Sequence, residues 1–343
     1  MSLQEFWFVL IGVLFTGYFV LEGFDFGVGM LMPILGKGSD TRRRLVLNTI
    51  GPVWDANEVW LLTAGGAMFA AFPEWYASLF SGFYLALLVL LVALILRVCA
   101  IEYRGKIDDP RWRARCDIGI GIGSWIPALA WGWVFANVVH GVPLDEHKEF
   151  AGSVADLFGP YAVVGGLATG LLFALHGAMF LALKTGGEVR ADARRTARLL
   201  LGPTVVVVGG FGLWTQLAYG TGWTWIPLAL AVLGSITAAV ADIARRDGWA
   251  FTGTTVTVAA VTALLFGSLF PNVLPSTLDA AFDLTVYNAS STPYTLTVMS
   301  WAAVVVTPVV LVYQGWTYWV FRKRITVEQI PAPAGLPART RRD

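Results

Sequence analysis

The sequence predicts an all-α integral membrane protein with nine transmembrane helices. Of its 343 residues, 56% are hydrophobic and only 14% are charged, and the mean hydropathy is +0.65. A soluble domain carries about 25% charged residues. The chain also has 15 Trp and 37 Gly, residue types that gather at membrane interfaces and at contacts between transmembrane helices. The net charge of +1 comes without a basic stripe along an exposed face, so we expect no nucleic-acid partner.

Nine apolar runs are long enough to cross a bilayer, which takes roughly 20 residues. They cover 6–32, 51–72, 76–101, 118–139, 158–183, 199–219, 223–243, 250–270 and 294–321. Basic residues are concentrated in alternate connections, at 37–48, 102–117, 184–198 and 244–249, and after the last run. Because Lys and Arg stay on the cytoplasmic side, this alternation predicts an outer amino terminus and a cytoplasmic carboxyl terminus.

The predicted spans leave no room for a soluble domain. Residues 1–325 form one polytopic membrane domain, and the tail 326–343, which is rich in Pro and Arg, is expected to be disordered. The first apolar run lacks a basic leader, so it is interpreted as a retained helix.

Four carboxyl groups lie inside the first two spans. Glu22 and Asp25 are three residues apart and therefore share one face of the first helix. Asp55 and Glu58 repeat this spacing on the second helix, which a short connection should pack antiparallel to the first. Ionisable residues within a membrane usually face an interior path or a partner. We therefore expect these four acids to relay protons from the cytoplasm towards a buried redox centre.

A structural interpretation of the same acids stays open. Asp25 has a possible partner in Arg97 of the third span, and Glu58 has one in a neighbouring amide, so the acids would only hold helices together. Trp54 is expected to brace the acidic turn, and the amide of Asn57 enters the membrane beside it. A hard-cation site is a further option, since carboxyl and amide oxygens suit such ions.

Haem ligands are scarce in this sequence. Of three His residues, only His176 lies near the middle of a span. Haem iron needs an axial His, Met, Cys or Tyr, but a lone His on an apolar face is more often a hydrogen-bonded packing residue. No Cys/His spacing indicates zinc, copper or an iron–sulfur cluster. We therefore assign no cofactor or metal ligand in this chain, and His176 is the one candidate for a haem ligand.

Three sequence runs resemble subunit II of cytochrome bd quinol oxidase. They are EGFDFGVGM at 22–30, GPVWDANEVWLLTAGGA at 51–67 and FPNVLPS at 270–276. The similarity extends over nearly the whole chain, loop lengths included.

The resemblance implies a required subunit of a prokaryotic plasma-membrane complex that oxidises quinol and reduces oxygen to water. It implies two four-helix bundles plus a peripheral helix, and haems b and d ligated by a partner, subunit I. Small accessory subunits are possible further partners. It also assigns the aspartate of the second-helix motif, here Asp55, to a proton channel, and the first-helix aspartate corresponds to Asp25.

Two other function classes are alternatives: a proton-coupled secondary transporter and a pure assembly scaffold. A proton-coupled secondary transporter should show repeat symmetry, broken helices and polar groups near the midplane. Here the acids cluster in one helix pair, and the later spans are mostly apolar. A pure assembly scaffold would make every acid dispensable for turnover.

Overall fold

The protein, described here from a computed structural model, is almost entirely helical. The structure describes residues 1–332 and 335–337. In these residues it contains eleven α-helices: α1 (Leu3–Leu35), α2 (Asp40–Asn48), α3 (Trp54–Ala71), α4 (Pro73–Gly82), α5 (Tyr84–Tyr103), α6 (Pro110–His140), α7 (Pro160–Lys184), α8 (Gly187–Ala218), α9 (Trp225–Ile243), α10 (Asp247–Leu269) and α11 (Pro293–Val320). Within the described chain, eight helices, all except α2, α3 and α4, are long and apolar enough to cross a membrane.

The helices form two bundles and one peripheral helix, which confirms the predicted fold class. The first bundle contains α1, α3, α5 and α6, and the second contains α7, α8, α9 and α10. Helix α1 joins them, because it also packs against α7 and α10. Helix α11 lies outside both bundles, with only 6% of its apolar window buried. The predicted span 51–72 corresponds to α3, and its role as a span stays a prediction because its first turns carry three polar residues.

The bundles meet where α1 crosses α7 at very close range. A Cβ atom at Gly27 would collide with the carbonyl oxygen of Phe173 and would lie 2.8 Å from the Cα of Gly177. A Cβ at Gly23 would lie 2.7 Å from the Phe173 ring. Small residues four apart allow this approach of two backbones. The crossing fixes the rotation of α1 and so decides where Glu22 and Asp25 point.

Helix boundaries differ from the predicted spans in three places. The third span is divided into α4 and α5 by a break at Phe83, and α4 follows α3 directly, with Pro73 as its first residue. The first basic connection contains the short helix α2, capped by Ser39. Helices α6 and α8 begin well before their apolar runs, at Pro110 and Gly187. Hydropathy marks only the membrane-crossing part, and charged turns extend the helices beyond it.

Short strands close the two ends of the bundles. Between α10 and α11, strands β2 (Asn272–Leu274) and β3 (Leu284–Thr285) pair antiparallel. At the opposite end, β1 (Ile107–Asp108) pairs parallel with β4 (Leu336–Pro337) in the tail. The predicted disorder of the tail 326–343 stays a prediction, and residues 333–334 and 338–343 lie outside the described part of the chain.

Candidate functional site

The first bundle encloses an ion-pair cluster centred on Arg97 of α5. Its Nη1 lies 2.6 Å from Oε1 of Glu22 on α1 and 3.4 Å from Oε1 of Glu58 on α3. The side chains of Arg97 and Glu22 have no solvent exposure, whereas Glu58 is 24% exposed. The guanidinium also lies over the ring of Phe26, with its Cζ 5.0 Å from the ring centroid. Three helices therefore meet at one buried cation.

Asn57 of α3 organises a second set of contacts beside the ion pairs. Its Nδ2 donates to Oδ2 of Asp25 at 2.7 Å and to the carbonyl of Leu21 at 3.5 Å. Its Oδ1 accepts from the hydroxyl of Tyr318 at 2.7 Å and from Nε2 of Gln314 at 3.4 Å. Both halves of the amide are thus used, and α11 is fastened to α1 through α3.

The structure changes the partners that the sequence suggested for these acids. Arg97 pairs with Glu22 and Glu58, and the pairing considered between Arg97 and Asp25 is wrong. Asp25 is bonded to Asn57 instead. Glu58 contacts the guanidinium and not an amide. The physical reason is the rotation of α1, which directs Glu22 towards α5 and Asp25 towards α3.

The cluster holds more acid than base. Glu22, Asp25 and Glu58 surround the single guanidinium of Arg97, which gives a net charge of −2 if every group is ionised. Oε2 of Glu22 and Oδ1 of Asp25 are buried and have no hydrogen-bond donor among the described residues. The two carboxyls are three residues apart on α1, one helical turn, and are therefore neighbours on its surface. Since two carboxylate oxygens can bond only through a proton, this arrangement suits a shared proton.

Asp55 lies outside this cluster. Its side chain is on the exposed face of α3, together with Val59, Leu62 and Phe69, and makes no hydrogen bond or ion pair with any residue that the structure describes. It is one helical turn before Glu58, so the two side chains are neighbours on the surface of α3. The four acids therefore comprise two buried groups, Glu22 and Asp25, the partly exposed Glu58 and the exposed Asp55.

Trp54 and Trp60, the two tryptophans of the sequence run at 51–67, have different surroundings. Trp60 packs onto α1 where Gly17 leaves space for its ring, and its Nε1 donates to Gln314 at 2.7 Å. Trp54 is half-buried and lines a polar cavity of about 350 Å³, next to Gly51 and Arg104. Trp54 directly precedes Asp55 at the start of α3, and its bracing role stays a prediction.

His176 does not fit an axial haem ligand. It is fully buried, its Nδ1 lies 2.7 Å from the Thr254 hydroxyl and its Nε2 lies 3.0 Å from the Val20 carbonyl. Its ring stacks on Phe251 with centroids 4.6 Å apart. Both nitrogens already have protein partners, so we derive no haem chemistry through this residue. Among the described residues, no group of three or more His, Cys, Asp or Glu side chains could hold a metal ion.

Sequence reasoning missed two residues of the site, Gln314 and Tyr318. They are four residues apart on α11, so they share one face of an otherwise apolar helix. A Gln inside a span is a signal of an interhelical hydrogen bond, but the sequence does not tell which helix it contacts. The contact with Asn57 joins residues separated by 257 positions in the chain.

Fold and site together define a polytopic membrane protein with an interior group of acids able to bind protons. Residues 3–321 match the sequence model of the family described as cytochrome bd terminal oxidase subunit II. The chain is 44% identical over 330 residues to cytochrome bd ubiquinol oxidase subunit 2 of Bacillus subtilis (strain 168), covering 95% of this chain and 97% of the relative. It is 37% identical over 368 residues to cytochrome bd-I ubiquinol oxidase subunit 2 of Escherichia coli (strain K12), covering 96% of each. The chain therefore belongs to the cytochrome bd terminal oxidase subunit II family.

A solved structure supports the same fold. The bd oxidase from Geobacillus thermodenitrificans superposes with a TM-score of 0.76, covering 93% of this chain and 97% of the matched chain, at 16% identity. The resemblance to subunit II is thus confirmed, and with it the prediction of a subunit of an oxidoreductase complex of the respiratory chain. The family name implies haems in that complex and a partner subunit I. The comparisons give no support to the transporter alternative.

Proposed function

We propose that this chain carries protons from the cytoplasm towards the oxygen chemistry of subunit I. The observation that supports this most is the group of three carboxyls, two of them buried, around one guanidinium, connected through Glu58 to the exposed Asp55. A structural ion pair needs one acid for each base. The surplus acids here give the protein sites that gain and lose protons while Arg97 keeps the group in place.

The proposed path has a surface part and an interior part. Asp55 and Glu58 form the surface part on one side of α3, next to the polar cavity that Trp54 lines. Glu22 and Asp25 form the interior part and share a proton between their free oxygens. Asn57 and Arg97 hold these groups in position by donating to Asp25 and Glu22.

The exposed face of α3 suggests where the path leaves the chain. An ionised acid that faces hydrocarbon at the centre of the bilayer costs roughly 3 kcal/mol. Asp55 avoids this cost if subunit I covers the face. The path then runs from this chain directly into the partner.

The remaining assignments follow from the family. In this proposal subunit I ligates haems b and d. Quinol is the proposed electron donor, which the ubiquinol oxidase names of the relatives support. Small accessory membrane subunits are further candidate partners. The basic connections favour an amino terminus outside and a carboxyl terminus in the cytoplasm of the bacterial plasma membrane.

The test compares Asp55→Asn, Glu58→Gln and Asp25→Asn in the assembled complex, reconstituted into vesicles and supplied with quinol and oxygen. We expect proton uptake and oxygen consumption to fall together in each variant, with haem spectra unchanged. Glu188→Gln is the matched control, because Glu188 is an acid with 89% side-chain exposure at the end of the molecule that carries the basic connections.

The scaffold interpretation gives a different result. If the acids only hold helices together, the variants lower the yield or thermal stability of the complex while turnover per haem and proton uptake stay at the wild-type level. That outcome contradicts the proposed path.

A further inference from the structure

A large cavity lies between the two bundles and α11, with Tyr318, which bonds to Asn57, in its wall. It has a volume of about 1000 Å³, at the upper end of the range for ligand pockets. Phe24 of α1, Phe180 of α7 and Phe251 of α10 form part of its wall, and Thr255 and Leu183 line it as well. The rings of Phe24 and Phe180 stack with centroids 4.0 Å apart. The interior of this cavity therefore suits a hydrocarbon chain.

The mouth of the cavity is cationic. Lys184 ends α7, and Arg322 and Lys323 follow α11, and all three line the cavity. Arg322 and Lys323 are exposed. Lys184 donates to the carbonyl of Phe321, which holds the end of α11 against α7. A positive rim thus surrounds the opening of an apolar chamber.

The charge next to the mouth is not balanced by acids in contact with it. Four further arginines of the same end of the molecule share two carboxylates: Arg190, Arg194 and Arg324 contact Asp247, and Arg194 and Arg198 contact Asp242. Asp247 therefore already compensates three guanidiniums and Asp242 two. Arg322 stacks on Trp319 and donates to its carbonyl, and Lys184 donates to the carbonyls of Phe321 and Lys323. Among the described residues these cations contact only neutral groups, so no carboxylate neutralises the rim.

We propose that this cavity binds an anionic phospholipid, with its headgroup phosphate at Arg322 and Lys323 and an acyl chain between Phe24, Phe180 and Phe251. Basic pockets between transmembrane helices on the cytoplasmic side are suited to anionic headgroups. The aromatic wall excludes the headgroup from the interior, and the rim supplies the selectivity for negative charge. The site and the proposed proton path meet at Tyr318, but the rim cations belong only to the cavity.

Binding of phosphatidylglycerol to the purified complex in mild detergent tests the proposal, measured by native mass spectrometry against phosphatidylcholine. Each Lys or Arg near an anionic lipid contributes a factor of about five, so the Arg322→Gln/Lys323→Gln double variant should bind phosphatidylglycerol roughly thirtyfold more weakly. The control is Lys37→Gln/Arg111→Gln, which removes two exposed cations from the same end of the molecule. It should bind like the wild type.

A second variant separates the cavity from its rim. Thr255→Trp places an indole ring in the acyl-chain part of the chamber and keeps every cation, so it should also weaken binding of the lipid. Unchanged phosphatidylglycerol binding in either site variant overturns the proposal, as does an equal loss in the control. Equal binding of phosphatidylcholine, or recovery of a neutral quinone in place of phospholipid, overturns it as well.

Discussion

Removal of the buried guanidinium is the perturbation with the most definite consequence for stability. Arg97→Met keeps an unbranched side chain of similar length but removes the cation that Glu22 contacts at 2.6 Å and Glu58 at 3.4 Å. The low values measured for surface ion pairs do not apply here, because Arg97 and Glu22 have no exposed side-chain area. Loss of one partner from a buried pair costs about 3–5 kcal/mol.

The cause of this cost is the carboxylate that remains buried without a partner. It follows that Glu22→Gln in the Arg97→Met background should recover a large part of the lost stability, since it removes the unpaired charge. Each kcal/mol shifts the Tm of a long chain by roughly 2 °C, so we expect Arg97→Met to lower the Tm by up to about 10 °C.

The assay is thermal unfolding of the purified complex in mild detergent, followed by haem absorption and by intrinsic Trp fluorescence. Arg115→Met serves as the control, because Arg115 is exposed. If Arg97→Met and Arg115→Met unfold at the same temperature, or if the double variant is less stable than Arg97→Met alone, the reasoning about the buried charge is refuted.

Three further predictions concern the contacts around the site. Gly27→Ala places a methyl group against the Phe173 carbonyl, so the assembled complex should be largely lost from membranes, whereas Gly65→Ala, with open space around it, should assemble normally. Asn57→Ala removes the donor to Asp25 and should cost about 1–3 kcal/mol, measured as a fall in Tm. Asp247→Asn leaves Arg190 and Arg324 without their carboxylate and should cost about 2–3 kcal/mol by the same measurement.

Two controls accompany the last two variants. Thr63→Ala, on the exposed side of α3, should leave the Tm unchanged and so isolates the effect of Asn57 from that of any α3 substitution. Glu188→Gln does the same for Asp247, since it removes a weakly paired acid from the first turn of α8. A fall in Tm as large in a control as in its partner contradicts the role given to the contacts.

Much of the fold could be predicted because a transmembrane helix needs an apolar run long enough to cross the bilayer. Each of the nine apolar runs overlaps one long helix of the structure, apart from the third, which contains the break at Phe83. Nothing in that run signals the break locally, since both Phe83 and its neighbours are apolar or small. Helix α2 was missed because its first turns are charged and its apolar stretch is only Leu45–Leu47, too short to stand out in hydropathy.

The candidate site could be predicted in its residues but not in its pairings. The spacing of three residues placed Glu22 with Asp25 and Asp55 with Glu58 on common faces, and the structure has three of these acids in one cluster. Which acid meets Arg97 depends on the rotation of α1, fixed by its crossing with α7. A rotation of this kind is a tertiary property, and the sequence alone did not contain it.

The most direct test of the account is infrared difference spectroscopy of the complex between its reduced and oxygen-reacted states. Protonated carboxyls give a C=O band that ionised carboxylates lack. The account predicts a C=O band that changes between the two states and disappears in Asp25→Asn, while the Glu188→Gln control retains it. A spectrum without such a band, or one that is unchanged in Asp25→Asn, would contradict the claim that the buried acids exchange protons during turnover.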